Sequence, residues 1–388
     1  MPNLRRGMMA AAGVSTSSVS AGTLWAWGSG GEGALGDGTD VNKSSPVQIG
    51  SNTDWQTVDL DDLGKFRYGA AGDATSAVNG EGKLFTWGWS NDGQGGRGNT
   101  DSVCVPTQVG SLTDWAACTG GYNMWATKTD STWWFVGGQN SGGGAGQGDT
   151  TAYSSPVQIG SETYWAKPSG NNHFGFCITN HGSSNDGQLW AVGANNLGNL
   201  GVGDTTSISS PVQVGSLETW SQVSVGGWHV VGIRSDGALF TWGLNDKGQL
   251  GDGSTTDRSS PVQIGTTEWA MAAASYHGST GAIKTDGTLW VWGNNYYGEL
   301  GVGDTTSYSS PVQVGSLTDW KILCTPVYIL ESIKTDGTLW TCGRSYYGGL
   351  GNGTSTPHIS SPAQVGSDTD WLVLGNSQDW HSHAIRSV

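Results

Sequence analysis

The sequence predicts an all-β protein: a seven-bladed β-propeller of four-stranded antiparallel blades, with the ring closed by pairing of the N- and C-terminal segments in one blade. Three observations predict it. The same three phrases recur in fixed order seven times. The later copies stand 50 residues apart, at Gly193, Gly243, Gly293 and Gly343. The last copy stops half-way, and the first residues of the chain supply what it lacks. A period near 50 with several short strands per unit marks a propeller or solenoid.

The first phrase is an apolar-Trp-x-x-Gly core, as in Leu239-Phe240-Thr241-Trp242-Gly243, and it ends at Gly28, Gly88, Gly137 and the four glycines above. The second is Pro-x-Gln-Val/Ile-Gly, opened by Pro46, Pro106, Pro156, Pro211, Pro261, Pro311 and Pro362. The third is a tryptophan a few residues on: Trp55, Trp115, Trp165, Trp220, Trp269, Trp320 and Trp371.

Residues 216–265 show how one copy becomes a blade. Residues 220–225 alternate and read as a strand. Gly226-Gly227 turns the chain, and 230–234 make a second strand. Ser235-Asp236-Gly237 is a hairpin signal, because Gly accepts the positive φ that a tight turn needs. Residues 238–242 form a third strand, 243–253 a Gly-rich loop, and 260–265 a short fourth strand. Pro261 in that strand places it at a sheet edge. The hairpin signal returns at Asp286-Gly287 and Asp336-Gly337, with variants Glu81-Gly82 and Asp186-Gly187. Asp130-Ser131-Thr132 lacks the glycine, so its turn is expected to be distorted.

The final copy supplies strands around Trp371 and at 383–386, then ends at Val388. Its missing strands are 23–28 and 46–50. The blades are therefore read as 51–110, 111–160, 161–215, 216–265, 266–315, 316–366, and 367–388 with 21–50. Such closure removes the open edge of a linear array. Residues 1–20 lie outside the ring as an arm and linker. They superficially resemble a secretion signal, but the apolar stretch after Arg5-Arg6 is short and broken by glycine, so no signal is expected.

Composition narrows the function. Glycine is 65 of 388 residues without a Gly-X-Y period, which excludes collagen. The net charge is -15 with no basic stripe, so nucleic acid and anionic membrane would repel the surface. No apolar run is long enough to insert into a membrane. Cys104, Cys118, Cys177, Cys324 and Cys342 are odd in number and scattered, which argues against a disulfide framework or zinc site and for a reducing compartment.

Most of the 21 tryptophans are expected in the core, with Trp87, Trp190, Trp242, Trp290 and Trp340 wedged between adjacent blades. A second aromatic set precedes the second strand of each copy: Tyr68, Tyr122, His173, Trp228, Tyr276, Tyr328 and Trp380. Turns between first and second strands share one face of a propeller, so these side chains are expected around the mouth of its channel. There they either anchor a partner or plug the channel.

A longer connection breaks the symmetry: 29 residues separate Trp55 from Leu84, against 19 from Trp220 to Leu239. It holds Asp59, Asp61 and Asp62, a possible partner contact without the spacing of a calcium loop. The glycine pattern at 298–303 has no following helix and no closing Lys-Ser/Thr, so no nucleotide cofactor is expected. Asp204, Asp252 and Asp304 read as turn residues. His229 and His381 occupy equivalent places and are expected to bond a neighbouring blade. His381 and His383 lack a third metal ligand, and no Gly-x-Ser-x-Gly elbow exists, so neither a metal, a cofactor nor a catalytic residue is assigned.

The Asp-Gly-x-Leu-x-x-Trp-Gly core, the Asn-x-x-Gly-x-Leu-Gly loop at 245–251 and 295–301, and the Pro-x-x-Val strand resemble the regulator of chromosome condensation repeat family. The resemblance covers 20–388 and implies a seven-bladed propeller. It fixes no single function, since members include an exchange factor for a small GTPase, a β-lactamase inhibitor and a plant ultraviolet photoreceptor. A light sensor of that kind needs tryptophans clustered with arginines, and Arg97, Arg234, Arg258 and Arg344 fall in different repeats.

The opening residues 1–13 are similar to the starts of marine tailed-phage proteins. That resemblance implies a virion protein, such as a tail-fibre, receptor-binding or decoration component, with Leu4, Arg5, Arg6, Met8 and Met9 as an attachment arm. The expected partners are other proteins: virion neighbours through the arm, and a host surface protein or glycan through the loops. The alternative is a regulator or exchange factor of a small GTPase, or a propeller that inhibits a protein.

Overall fold

The computed structural model describes residues 21–56, 68–71, 74–120, 123–182, 186–216, 219–266, 268–377 and 380–388. They form seven sheets, antiparallel throughout except for one short parallel pair in blade one. Blade four shows the pattern: Trp220–Val225, His229–Arg234, Leu239–Gly243 and Arg258–Ile264, paired in that order. First strands of successive sheets pack against one another, so they line the centre of the ring. Fourth strands lie outermost, and the proline of the Pro-x-Gln phrase sits there with an exposed serine before it, where a missing N–H leaves no ladder bond unmade.

Closure occurs as the sequence predicts. Ala21–Gly28 pairs with His381–Ser387 in a continuous register that sets Leu24 opposite Ile385, and with Lys43–Gln48 on its other side. Trp371–Leu374 completes the sheet as its inner strand.

Local chemistry explains the hairpins. Gly237, Gly287 and Gly337 all take φ near +79°. A Cβ at Gly287 would meet the Thr318 carbonyl oxygen at 2.1 Å, so the site excludes any side chain. The preceding aspartates accept a bond from the backbone N–H two residues on, as Asp286 does from Thr288 at 2.9 Å. The Asp130-Ser131-Thr132 turn is not distorted as expected. It keeps the same bonds, and Ser131 is held at φ 62° to do so.

Two tryptophan positions divide the core, which corrects part of the sequence reading. Trp27, Trp87, Trp242 and Trp292 do wedge between blades: each indole Nε1 donates to a backbone carbonyl of the preceding blade, at 2.9–3.1 Å. Trp190, Trp290 and Trp340 lie two residues earlier on the strand, on the same face but toward the hairpin end, where Trp290 and Trp340 donate to Thr288 and Thr338 of their own blades instead of reaching the preceding blade. They pack edge-on against Trp165, Trp269 and Trp320 of their own blade. Cys342 fills the wedge position in blade six and is fully buried.

His229 and His381 bridge blades as expected. His229 Nε2 lies 3.0 Å from Thr280 Oγ1, and His381 Nε2 lies 3.2 Å from Thr75 Oγ1. Each threonine hydroxyl donates to a backbone carbonyl, at Gln249 and Ala34, so the imidazole must be the donor to it.

The long connection changes blade one. Trp55 keeps its place, bridging Asn79, but Trp55–Gln56 pairs with the start of Ala21–Gly28. The innermost strand of the blade is instead Tyr68–Ala71, which also pairs in parallel with Asn376–Ser377.

Candidate functional site: an aromatic face on blades three to seven

In an antiparallel blade the turn joining strands one and two and the loop joining strands three and four emerge on the same face. The Gly-rich loops therefore frame the channel mouth. Their shape is fixed by one asparagine per loop. Asn245 Oδ1 accepts the Leu250 N–H, while its amide donates to Asp252 and to the backbone of the loop; Asn195 and Asn295 do the same in their blades. Asp204, Asp252 and Asp304 each accept a backbone N–H two residues on, as turn residues should. The residues after the asparagine, at the loop tip, are left to point outward.

On this scaffold the predicted rings come together over half of the face. His173 stacks on Trp228, with centroids 4.5 Å apart and planes 15° apart. His277 stacks on Tyr328 at 4.3 Å and 5°. Tyr276 meets His277 edge-on at 5.3 Å, and its hydroxyl accepts a bond of 3.4 Å from Asn172 of blade three. Tyr328 meets Trp380 edge-on at 6.4 Å. Trp228, Tyr276 and Tyr328 line one pocket of about 210 Å³ between blades four and five. The rings thus contact each other, and they remain half-buried rather than sealed. Burial lowers the pKa of His173 and His277, with Arg344 adding to the effect at His277, so both rings stack as neutral imidazoles near neutral pH.

The loops add rings that the sequence reading did not single out. Tyr297 packs on Tyr328 at 4.9 Å and on His358 at 5.0 Å. Tyr346 packs on His358 at 4.8 Å and Tyr347 on Trp380 at 5.6 Å. Tyr296, Tyr346 and Tyr347 are 58%, 43% and 48% exposed. Arg344 lies among them, its guanidinium 3.7 Å from the Trp380 ring centroid. The signal was present: the doublets Tyr296-Tyr297 and Tyr346-Tyr347 stand where blade four has Asp246-Lys247. It was hidden by assigning these loops to turns alone.

The other predicted residues stand apart. Tyr68 lies in the innermost strand of blade one rather than on a turn, because the inserted segment displaces the strand. Tyr122, Asp59, Asp61, Asp62 and the arm residues Leu4, Arg5, Arg6, Met8 and Met9 lie outside the described residues. Among the described residues no group of three or more His, Cys, Asp or Glu side chains could hold a metal ion. The arrangement offers flat anchors, tyrosine hydroxyls and one cation on a stiff frame.

Comparison with known proteins gives the same architecture. The model of the regulator of chromosome condensation repeat matches residues 21–76, 81–125, 186–233, 236–280 and 286–323, and a second model of that repeat matches 220–249. No curated protein matches the sequence. Among solved structures, human WBSCR16 is similar with a TM-score of 0.80 at 16% identity, over 94% of this chain and 99% of that one. Prp20p from Saccharomyces cerevisiae, described with its binding to Gsp1p and histones, is similar with a TM-score of 0.78 at 15% identity, over 95% of this chain and 92% of that one. Yeast Prp20 bound by Kap60 gives 0.79 at 15% identity, over 99% and 97%. At these identities the likeness establishes the fold.

Proposed function

This chain belongs to the regulator of chromosome condensation repeat family, and from that premise we propose that it is a non-catalytic recognition protein that regulates a protein partner by gripping it on the aromatic face. One observation carries the reading: rings from five blades converge on one face, and three of the outermost tyrosines stay exposed. Large rigid rings lose little entropy on binding and bury much apolar area, which is why they dominate binding hot spots. A closed ring of seven packed blades holds them in place. Support for a regulator comes from the fold shared with Prp20p, which binds Gsp1p.

The test is site-specific photocrosslinking in cells. A photoreactive residue at Tyr347 should capture one discrete partner, and Tyr296→Ala with Tyr346→Ala should abolish the capture. The same probe at Asp336, on the hairpin face, should capture nothing. Equal capture from both faces counts against the reading. If the partner is a small GTPase, the pure chain should speed release of a fluorescent nucleotide from it.

A second reading, a virion component attached through Leu4, Arg5, Arg6, Met8 and Met9, rests on the resemblance of residues 1–13 to tailed-phage proteins. The comparisons favour the regulator over it. Recovery of the chain in purified particles, and its loss on deletion of 1–20, would support that reading.

A further inference from the structure

We propose that the cleft between blades six and seven, about 630 Å³ and lined by Arg344, Tyr346, Tyr347, Asn42, Ser44 and Thr356, receives an acidic side chain of the partner peptide, with Arg344 as its counter-ion. This rests on the partner-binding reading above and specifies what the partner must present.

The argument begins with the repeat. The position of Arg344 holds Leu244 in blade four, Asn294 in blade five and Ala194 in blade three. The scaffold needs no cation there. Nor does any described residue neutralise this one. Among the described residues Arg234, Arg258 and Arg386 each pair with a carboxylate, and Arg97 bonds Thr86 and a backbone carbonyl. Of the described arginines Arg344 alone has no oxygen acceptor among the described residues, and its Nε is buried without one.

Rings surround it instead. Trp380, Tyr346, Tyr297 and Tyr328 lie 3.7, 4.6, 5.0 and 5.6 Å from the guanidinium carbon. Their faces stabilise a cation but accept none of its five N–H donors. They also fix the fork in one plane, so a carboxylate entering the cleft can be bound by two parallel bonds with little further ordering. Exposed Tyr346 and Tyr347 at the mouth supply flat apolar contact for the residues flanking that carboxylate.

The chain carries a net charge of -15, which opposes a strongly acidic segment at long range. The favoured occupant is therefore a peptide with one acidic residue between apolar or aromatic neighbours.

The experiment titrates the full chain with acetyl-Tyr-Glu-Tyr amide and its Gln counterpart at low salt, read by tryptophan fluorescence. The Glu peptide should bind at least tenfold tighter than the Gln peptide, and Arg344→Gln should erase the difference. Arg344→Lys, which keeps the charge and loses the fork, should erase most of it, and serves alone should the Gln variant not fold. Equal binding of the two peptides, or an unchanged preference in both variants, overturns the proposal. Glucuronate binding more tightly than the Glu peptide also overturns it, in favour of an acidic sugar. The crosslinking assay separates the two readings. A partner still captured at Tyr347 in Arg344→Gln, at wild-type yield, leaves the aromatic face standing and removes the carboxylate from it.

Discussion

Acidification should unfold this propeller from its blade junctions, and the size of the effect follows from four buried groups. Burial lowers His229 and His381 from 6.5 to about 4 and His383 to about 3. The native protein keeps all three neutral, while the unfolded chain takes up three protons as pH falls through 6.5. Each such proton destabilises the fold by about 1.4 kcal/mol per pH unit. Glu331 opposes them. It is fully buried beside Ser382 Oγ, and burial raises its carboxyl from 4.5 to about 8, so the native state keeps a proton that the unfolded chain has lost. Between 4.5 and 6.5 the balance is three protons against one, and the histidines win. Integrated over the transitions, stability should fall by about 3 kcal/mol between about pH 7 and pH 5, and should peak near pH 7. His173, His277 and His358, also lowered, add to the loss, while Glu299, raised by burial, adds to the opposition. Urea unfolding followed by tryptophan fluorescence measures it. Glu331→Gln removes the opposing proton, so the same interval should then lose about 5 kcal/mol, and the decline above pH 7 should vanish. A wild-type stability that stays level from pH 7 to pH 5, or a Gln variant with an unaltered profile, would refute the reasoning.

Three further outcomes are expected. Trp27→Ala removes a fully buried indole and its 3.1 Å bond to the Gly349 carbonyl at the closing blade, and should cost about 3–5 kcal/mol by urea midpoint. Ser131→Gly should raise stability by about 0.5–1 kcal/mol by relieving a positive φ, whereas Gly287→Ala should lower it by more than about 1 kcal/mol, because the Thr318 carbonyl lies where its Cβ must go. Cys118, Cys177, Cys324 and Cys342 are buried, and burial pushes Cys177 and Cys342 far above the ordinary thiol range. A thiol reagent at neutral pH should therefore label Cys104 alone in the native protein, and all five thiols in urea; rapid labelling of a second native thiol would contradict the packing.

What the sequence made legible, and what it did not, divides along the line between repeated and unrepeated residues. Repetition reveals fold because every copy must solve the same problem. Leu24 and Ile385 could be paired before any coordinates, since residues 21–28 had to supply the third strand of the unfinished blade. Asp286-Gly287 announced its hairpin for the same reason. The tryptophans were read less well. Trp290 and Trp292 lie in one phrase and on one side of the sheet, but only Trp292 reaches the preceding blade, while Trp290 sits nearer the hairpin and bonds Thr288. Counting indoles gave no way to choose between the two positions; the tight contact between the wedge ring and a glycine of the preceding blade does, as at Gly251 against Trp292.

The candidate site obeys the opposite logic. A residue that serves recognition departs from the repeat, so averaging over copies hides it. Arg344 replaces leucine, asparagine or alanine, and Tyr346-Tyr347 replaces Asp-Lys, each once or twice in seven loops. Their significance lies in convergence rather than identity. Loop tips of blades five and six reach turns of blades five to seven only because strands one to four alternate direction, which brings Tyr297, Tyr328 and Trp380 within about 6 Å of Arg344. Nor can a sequence state that a guanidinium lacks a carboxylate, since that depends on what every neighbouring element fails to place there. The useful rule for such repeats is to align the copies and search the departures for residues that the topology sends to one face. Here that search yields Arg344, Tyr296, Tyr346 and Tyr347, all from loops that the scaffold itself needs only for their glycines and asparagines.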